Sequence, residues 1–291
     1  MSANTALRSP RSRRPSRSYR VRRLVQPISA LVLAVLFIGT PLWLVLVTSA
    51  KPLGETEVPS LNLPHKIAAA QNYSNAFTNG NMLQGLMNSV IVVVPSAIII
   101  LILGAMASWI FARRTGRLAS WAYGLVIVGL LIPPAVVTLV LELRFIGIAD
   151  SQLGLIATYV SMYLPFTVFL MTGFIRALPA ELEEAARVDG AGPVRVFFRI
   201  VLPLLSPVIA TATIMVVLFT WSDLFYAAFV LGGGDKATLP LNLLNVASQN
   251  LYQNSWNLVF AYVVLMSLPM IVVFIVAQRR IISGVTSGAL K

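Results

Sequence analysis

The sequence predicts an all-α, polytopic membrane protein with six transmembrane helices. Three observations carry that expectation. Of 291 residues, 57% are hydrophobic and 11% are charged, whereas a soluble domain carries about 25% charged residues. So much apolar surface cannot be hidden in one globule, and lipid must cover part of it. The apolar residues gather in six runs, each near the length of about 20 residues that a bilayer requires. The Lys and Arg residues are concentrated in alternate segments between those runs.

The runs are 24–50, 89–112, 118–141, 151–175, 200–230 and 258–277. Lys51-Pro52 ends the first, Arg113-Arg114 the second and Arg279-Arg280 the sixth; Pro203 and Pro207 lie near the start of the fifth. Backbone groups in hydrocarbon must be satisfied within their own segment, so each run is expected to be a helix. Eighteen of the 22 Lys and Arg residues fall on one side if the termini share that side. Lys51, Lys66, Arg144 and Lys236 are the four on the other. The positive-inside rule then places both termini in the cytoplasm of a bacterial cell membrane. Three segments face outward: 51–88 with Pro52, Pro59 and Pro64, a short turn at 145–150, and 231–257, which opens on Gly232-Gly233-Gly234 and has room for a short helix.

Residues 1–23 hold eight arginines and read as a disordered cytoplasmic tail against anionic lipid. Nucleic-acid binding is not expected, because no folded reader accompanies the tail. The first apolar run, 27 residues without a charge, is longer than the 7–15 of a cleaved leader. The absence of cysteine excludes disulfides, thiolate metal sites and cysteine nucleophiles. One histidine, His65 on an outer loop, leaves no Ser/His/Asp set, and it reads as a surface residue. No G-x-x-x-x-G-K-[ST] loop occurs, so this chain lacks that device for holding ATP phosphates. No metal or other cofactor site is expected on the chain.

The segment between the fourth and fifth runs, residues 176–203, reads RALPAELEEAARVDGAGPVRVFFRIVLP. Pro179 suits a helix start. Glu181 and Glu183 then occupy the first turn, where the helix dipole favours anions. Glu183 and Arg187 are four apart, a favourable helical pair. Ala185 and Ala186 leave a thin face, Asp189-Gly190 breaks the helix, and Pro193 can start another that carries Arg195 and Arg199. Val196, Phe197 and Ile200 are expected against lipid or the ends of the spans. On physical grounds this is a helix–turn–helix at the membrane surface, and an interfacial amphipathic loop with no partner would have the same pattern.

The spacing Glu184-Ala185-Ala186, then Gly190, then Ile200 and Leu202-Pro203 resembles the EAA motif of binding-protein-dependent ABC transporter permeases at every fixed position. Residues from about 25 to 291 are similar to the carbohydrate, maltose-type (MalG-like) subfamily. The supporting stretches are Asn72-Tyr73 with Phe77, Asn88-Ser89, Ile132-Pro133-Pro134, Trp221-Ser222-Asp223, Thr238-Leu239-Pro240 and the ending 278–291. Ser222 departs from the asparagine usual in that family. The resemblance implies an ABC importer type I permease fold, with a six-helix domain over 24–283 and a C-terminal tail over 284–291 that reaches towards the ATPase. It implies that Glu184, Ala185, Ala186, Asp189, Gly190, Ile200, Leu202 and Pro203 couple to a cytoplasmic ATPase dimer, which holds the ATP and Mg. A second permease subunit would complete the pore, and an extracytoplasmic solute-binding protein would deliver the solute.

Charged residues within membranes are functional candidates. Asp223 is the clearest, and with Trp221 and Tyr226 it is a candidate for a sugar pathway, rings stacking on C–H faces and the carboxylate accepting from hydroxyls. A helix end at the interface is the other reading of Asp223. Glu142 and Arg144 read as interfacial. A secondary transporter would need intramembrane charges for coupling ions, which are nearly absent, and a membrane enzyme would need a cluster of catalytic groups. Amino-acid, peptide and metal cargo are the rivals to sugar within the resemblance.

Overall fold

The computed structural model describes residues 17–132, 135–250 and 255–288. The Pro133-Pro134 pair, most of the arginine-rich tail and residues 289–291 lie outside the described residues. Regular structure among the described residues is helical: α1 (Arg17–Ala34), α2 (Thr40–Ser49), α3 (Ala69–Thr78), α4 (Met82–Arg113), α5 (Arg117–Leu131), α6 (Val136–Phe145), α7 (Gln152–Arg176), α8 (Glu181–Val188), α9 (Pro193–Val196), α10 (Leu202–Leu204), α11 (Ser206–Ser222), α12 (Phe225–Leu231), α13 (Leu239–Asn250) and α14 (Trp256–Gly288).

Four helical stretches are long and apolar enough to cross a membrane without a sharp break: 26–49, α4, α7 and the first 21 residues of α14. Two further spans are broken, α5 with α6, bent by 119°, and the stretch from Pro193 to Ser222, bent by 75°. With each bent pair counted as one span the number is the expected six, with corrections to the elements. The first span is continuous through a π-turn at Val35–Gly39, where the i→i+5 hydrogen bonds absorb one extra residue. The second begins at Met82 rather than 89, so part of the expected outer loop is helix. The third is not one helix over 118–141: α5 stops at Leu131, and Ile132 is extended at φ −96° and ψ 111°, the conformation that a following proline imposes. The fifth does not run unbroken over 200–230, because α11 ends at Ser222 and α12 starts at Phe225. The sixth starts at Trp256 and continues through Arg279-Arg280 to Gly288, across the boundary expected at 283. Charged side chains end an apolar run without ending a helix.

α4 and α7 form the packed centre. On α4 the buried residues Val92, Val93, Ser96, Ala97, Ile100, Gly104, Ala105 and Ser108 recur at helical spacing. Val90, Ile91, Val94, Ile98, Ile102 and Leu103 on the other faces are exposed, as a lipid-facing surface requires. Small residues on the seam let two helix backbones approach closely, and the Ser108 hydroxyl donates to the Val168 carbonyl across it at 3.0 Å.

The connections sort to two ends of the bundle. At one end the Arg176 guanidinium lies 4.9 Å from the Tyr123 ring centre, and Arg113 reaches the Leu178 carbonyl. At the other, the Asn72 amide donates to the Ser49 and Lys51 carbonyls at 2.9 and 2.8 Å, and the Asn257 amide donates to Asn72 Oδ1 at 2.8 Å. The buried Lys51 ammonium donates to the Ser60 carbonyl and hydroxyl. These bonds fasten the segment after the first span to α3 and to the start of α14. The helix allowed for in 231–257 is α13. Three successive left-handed glycines precede it, Gly232, Gly233 and Gly234, with φ of 63°, 91° and 69°; side chains there would be strained.

Candidate functional site: the surface helix and the helix break

α8 forms in the expected segment but begins at Glu181, with Ala180 as its N-cap, so Pro179 precedes the helix rather than occupying its first turn. Glu181, Glu183 and Glu184 lie in its first turn and Arg187 in its last, each complementing the helix dipole. It ends at Gly190, whose φ is +80°, a left-handed conformation that a Cβ would strain. Pro193 is the first residue of α9. The second helix is shorter than expected: one α-turn passes into a π-turn at Phe197–Val201. Val196, Phe197 and Val201 are buried with Ala105, Met171 and Ile175, so this segment packs on the ends of α4 and α7.

One side chain fixes α8 to the spans. Glu183 is 4% exposed. Its Oε1 accepts from Arg113 Nε at 2.8 Å and its Oε2 from Trp109 Nε1 at 2.8 Å. The expected partner Arg187 lies 3.6 Å from Oε2, a weaker, more exposed contact. Arg113 also donates to the Leu178 carbonyl at 3.1 Å. A buried carboxylate is stable only when charged and polar partners satisfy it, and here both oxygens are engaged. The Trp109 ring is tilted against Phe197, with centroids 5.5 Å apart, so α4, α8 and the π-turn meet at one point. Sequence reasoning placed Glu183 beside Arg187 but missed Trp109 and Arg113, 74 and 70 residues away. An indole and a guanidinium at the end of a span carry no local signal for their partner.

The EAA residues divide by face. Glu184, Ala185, Asp189 and Gly190 are exposed, Ala186 is half-buried against the core, Ile200 and Leu202 are half-buried, and Pro203 is exposed. Thus Glu183 turns inward and its neighbour Glu184 outward, leaving an acidic, thin and glycine-ended surface with no partner within the described chain.

Asp223 and Tyr226 lie together, and Trp221 packs in a different cluster. Asp223 sits in the break between α11 and α12. Its Oδ2 accepts from the Ala227 N–H at 3.0 Å and from the Tyr159 hydroxyl at 2.9 Å; its Oδ1 lies 3.4 Å from the Tyr226 N–H. It therefore caps α12 and ties it to α7. Tyr226 packs in the same cluster as Tyr159, whereas Trp221 is 8% exposed in another, with Met82, Val93 and Tyr262.

A second polar cluster holds the opposite end. The Asn88 amide donates to the Asp235 and Ala237 carbonyls at 2.7 and 3.0 Å, and its oxygen accepts from Gln152 Nε2 at 2.9 Å. Ser89 Oγ accepts from the Leu239 N–H at 2.8 Å. The Asn88-Ser89 pair thus binds α4 to α7 and to the turn that leads into α13.

Residues 100–286 match the family described as binding-protein-dependent transport system inner membrane component. The chain belongs to that family. Among relatives of this permease, the diacetylchitobiose uptake system permease protein NgcG of Streptomyces coelicolor is 34% identical over 90% of this chain and 87% of that protein. The melibiose/raffinose/stachyose import permease protein MelC of Bacillus subtilis is 34% identical over 92% and 96%. The trehalose transport system permease protein SugB of Mycobacterium tuberculosis is 31% identical over 76% and 81%. The permease also shares its fold with a bacterial ABC transporter involved in the import of the acidic polysaccharide alginate, with a TM-score of 0.79 and 20% identity over 92% of this chain and 99% of that one. It is a multi-pass inner-membrane transporter subunit and not an enzyme.

Proposed function

We propose that this permease forms half of the path by which an ATP-driven importer carries a sugar or oligosaccharide across the bacterial cytoplasmic membrane. The observation that carries the cargo is the naming of relatives that match about nine-tenths of the chain at 34% identity: they take up diacetylchitobiose, and melibiose, raffinose and stachyose. The family supplies the dependence on a solute-binding protein.

In this reading the basic end of the bundle is cytoplasmic, as the charge split requires, and both termini lie there. The exposed surface of Glu184, Ala185, Asp189 and Gly190 meets a separate ATPase dimer, with Ala186, Ile200, Leu202 and Pro203 shaping the support behind it. ATP and Mg bind to that ATPase. Glu183 makes the contact mechanical: a push on α8 moves Trp109 and Arg113 and, through them, α4 with α7. A second permease subunit supplies the other half of the path. The test is co-purification with the proteins encoded beside this one, followed by a solute screen on the binding protein. Capture of an ATPase and a second permease, with a binding protein that selects neutral saccharides, supports the proposal. Selection of amino acids, peptides or metal ions would reject the carbohydrate cargo.

A further inference from the structure

At the end of the bundle away from α8, a cavity of about 340 Å³ opens between the start of α4, the 234–237 turn and α13. Its size falls within the range of about 300–1,000 Å³ typical of small-molecule sites. We infer that this cavity is a hydroxyl-recognising subsite that receives a neutral saccharide at the outer mouth of the permease. The inference rests on the carbohydrate reading above and gives it a place on this chain.

The lining chemistry points to that class. Amides dominate it: Asn81, Gln84, Asn242, Asn245 and Gln249, with the Ser248 hydroxyl among them. Each amide offers both donors and acceptors, which is what a ring of sugar hydroxyls requires. Among the described lining residues only Asp235 is charged, and no cation is present there to pair with an anionic solute. The wall is built rather than incidental. Gln84 donates through Nε2 to the Asp235 carbonyl at 2.9 Å, which leaves its oxygen to accept. Asn242 donates through Nδ2 to the Gly80 carbonyl at 2.6 Å and lies 3.1 Å from the Tyr262 hydroxyl, so its oxygen is left in the same way. Asn88 beneath them is fully engaged and fixes the 235–237 turn as the floor. Asn245 and Gln249, on one face of α13, make no side-chain hydrogen bond to the described chain and complete the set of available groups. Gln84 and Asn242, oriented with their donors already engaged, lose little freedom on binding, so a weak, rapidly released solute can still be recognised.

Among the described lining residues polar groups carry the recognition, with no aromatic ring beside them. The assembled importer, in nanodiscs and without its binding protein, is probed by saturation-transfer NMR with melibiose, trehalose and diacetylchitobiose; uptake of the same sugars is measured in vesicles with the binding protein present. Transfer to the sugar that the importer takes up is expected in the wild type. It should fall roughly two- to tenfold in Asn245→Ala and in Gln249→Ala, the scale of one neutral hydrogen bond. Gln249 is exposed, so its replacement leaves the fold intact and keeps the test interpretable if Asn245→Ala assembles poorly. Uptake of a sugar without wild-type transfer, or undiminished transfer in Gln249→Ala, would overturn the subsite while leaving the carbohydrate reading standing. A change confined to the binding-protein concentration for half-maximal uptake would mark the cavity as a protein contact and also overturn it. No saccharide uptake at all would reject the carbohydrate reading itself.

Discussion

The Trp109 indole and the Glu183 carboxylate meet at 2.8 Å across 74 residues of sequence. That bond, with Arg113 on the other oxygen, joins the end of a membrane span to a surface helix. Glu183→Ala removes both acceptors and strands Arg113, whose side chain is 20% exposed. The expected loss is about 1.5–3 kcal/mol, the scale for hydrogen bonds to charged groups. Glu183→Gln keeps one acceptor and should lose less. The measurement is thermal melting of the purified complex alongside coupled uptake, with the order wild type, Gln, Ala in both. Equal behaviour of wild type and Glu183→Ala would show that the bond transmits nothing.

Asp223 is expected to act through α12. Asp223→Ala leaves the Ala227 N–H and the Tyr159 hydroxyl without their acceptor, whereas Asp223→Asn retains an uncharged oxygen that can accept from both. Loss of such a cap costs about 1 kcal/mol. Asp223→Ala should therefore lower the yield and melting temperature of the complex, Asp223→Asn should lower them less, and Tyr159→Phe should reproduce part of the effect. An alanine variant that melts like the wild type but takes up solute poorly would favour the pathway role instead.

How far the sequence could be read follows from the range of each signal. Hydropathy located the spans because lipid acts on every residue of a run. Local punctuation was legible too: Gly190 ends α8 and Pro193 begins α9 as expected. The break at Asp223 was not, since no proline or glycine marks it; a carboxylate replaces the missing helical bonds. The inward turn of Glu183 and the outward turn of Glu184 were equally hidden, because adjacent acids look alike until the partners at Trp109 and Arg113 are known. The clasp of Asn88 on residues 235–237 spans about half the chain, and only the fold brings the two together.

Asn88 makes that clasp as a donor, which separates two substitutions that look similar. Asn88→Ala removes two bonds to carbonyls. Asn88→Asp keeps the shape but turns a carboxylate towards the Asp235 and Ala237 oxygens, so repulsion replaces attraction and a buried charge lacks a cation. Limited proteolysis should show cleavage within 232–239 rising from wild type to Asn88→Ala to Asn88→Asp. Resistance of the aspartate variant equal to the wild type would contradict the assigned donor direction.

The proposed orientation is testable because the chain has no native cysteine. Ser60 is a poor probe site, since it holds the Lys51 ammonium. Val58 and Val188 are 76% and 88% exposed and lie at opposite ends of the bundle. An impermeant maleimide on intact cells with the outer membrane permeabilised should label Val58→Cys and spare Val188→Cys, and disruption of the inner membrane should expose both. The reverse pattern would invert the topology.

Gly190 separates folding from docking better than any other position on the exposed surface. Its φ of +80° charges a side chain a conformational cost, yet a Cβ built there meets no atom within 4 Å. Among the described residues, then, alanine costs strain alone, about 1 kcal/mol, and the strain is less for asparagine, which tolerates the left-handed region. The Cβ itself meets no atom of the described residues. Any larger effect must come from whatever approaches the α8 surface. Gly190→Asn and Gly190→Asp have similar size and differ in charge beside Asp189 and Glu184. Both should insert and melt close to the wild type. If the ATPase seats on this turn, Gly190→Asp should lose ATPase association in detergent pull-downs and lower coupled uptake by about tenfold or more, the equivalent of about 1.4 kcal/mol, with Gly190→Asn between it and the wild type. If both variants retain wild-type association and uptake, the turn does not face the ATPase, and the coupling role given to Glu184, Ala185 and Gly190 fails with it.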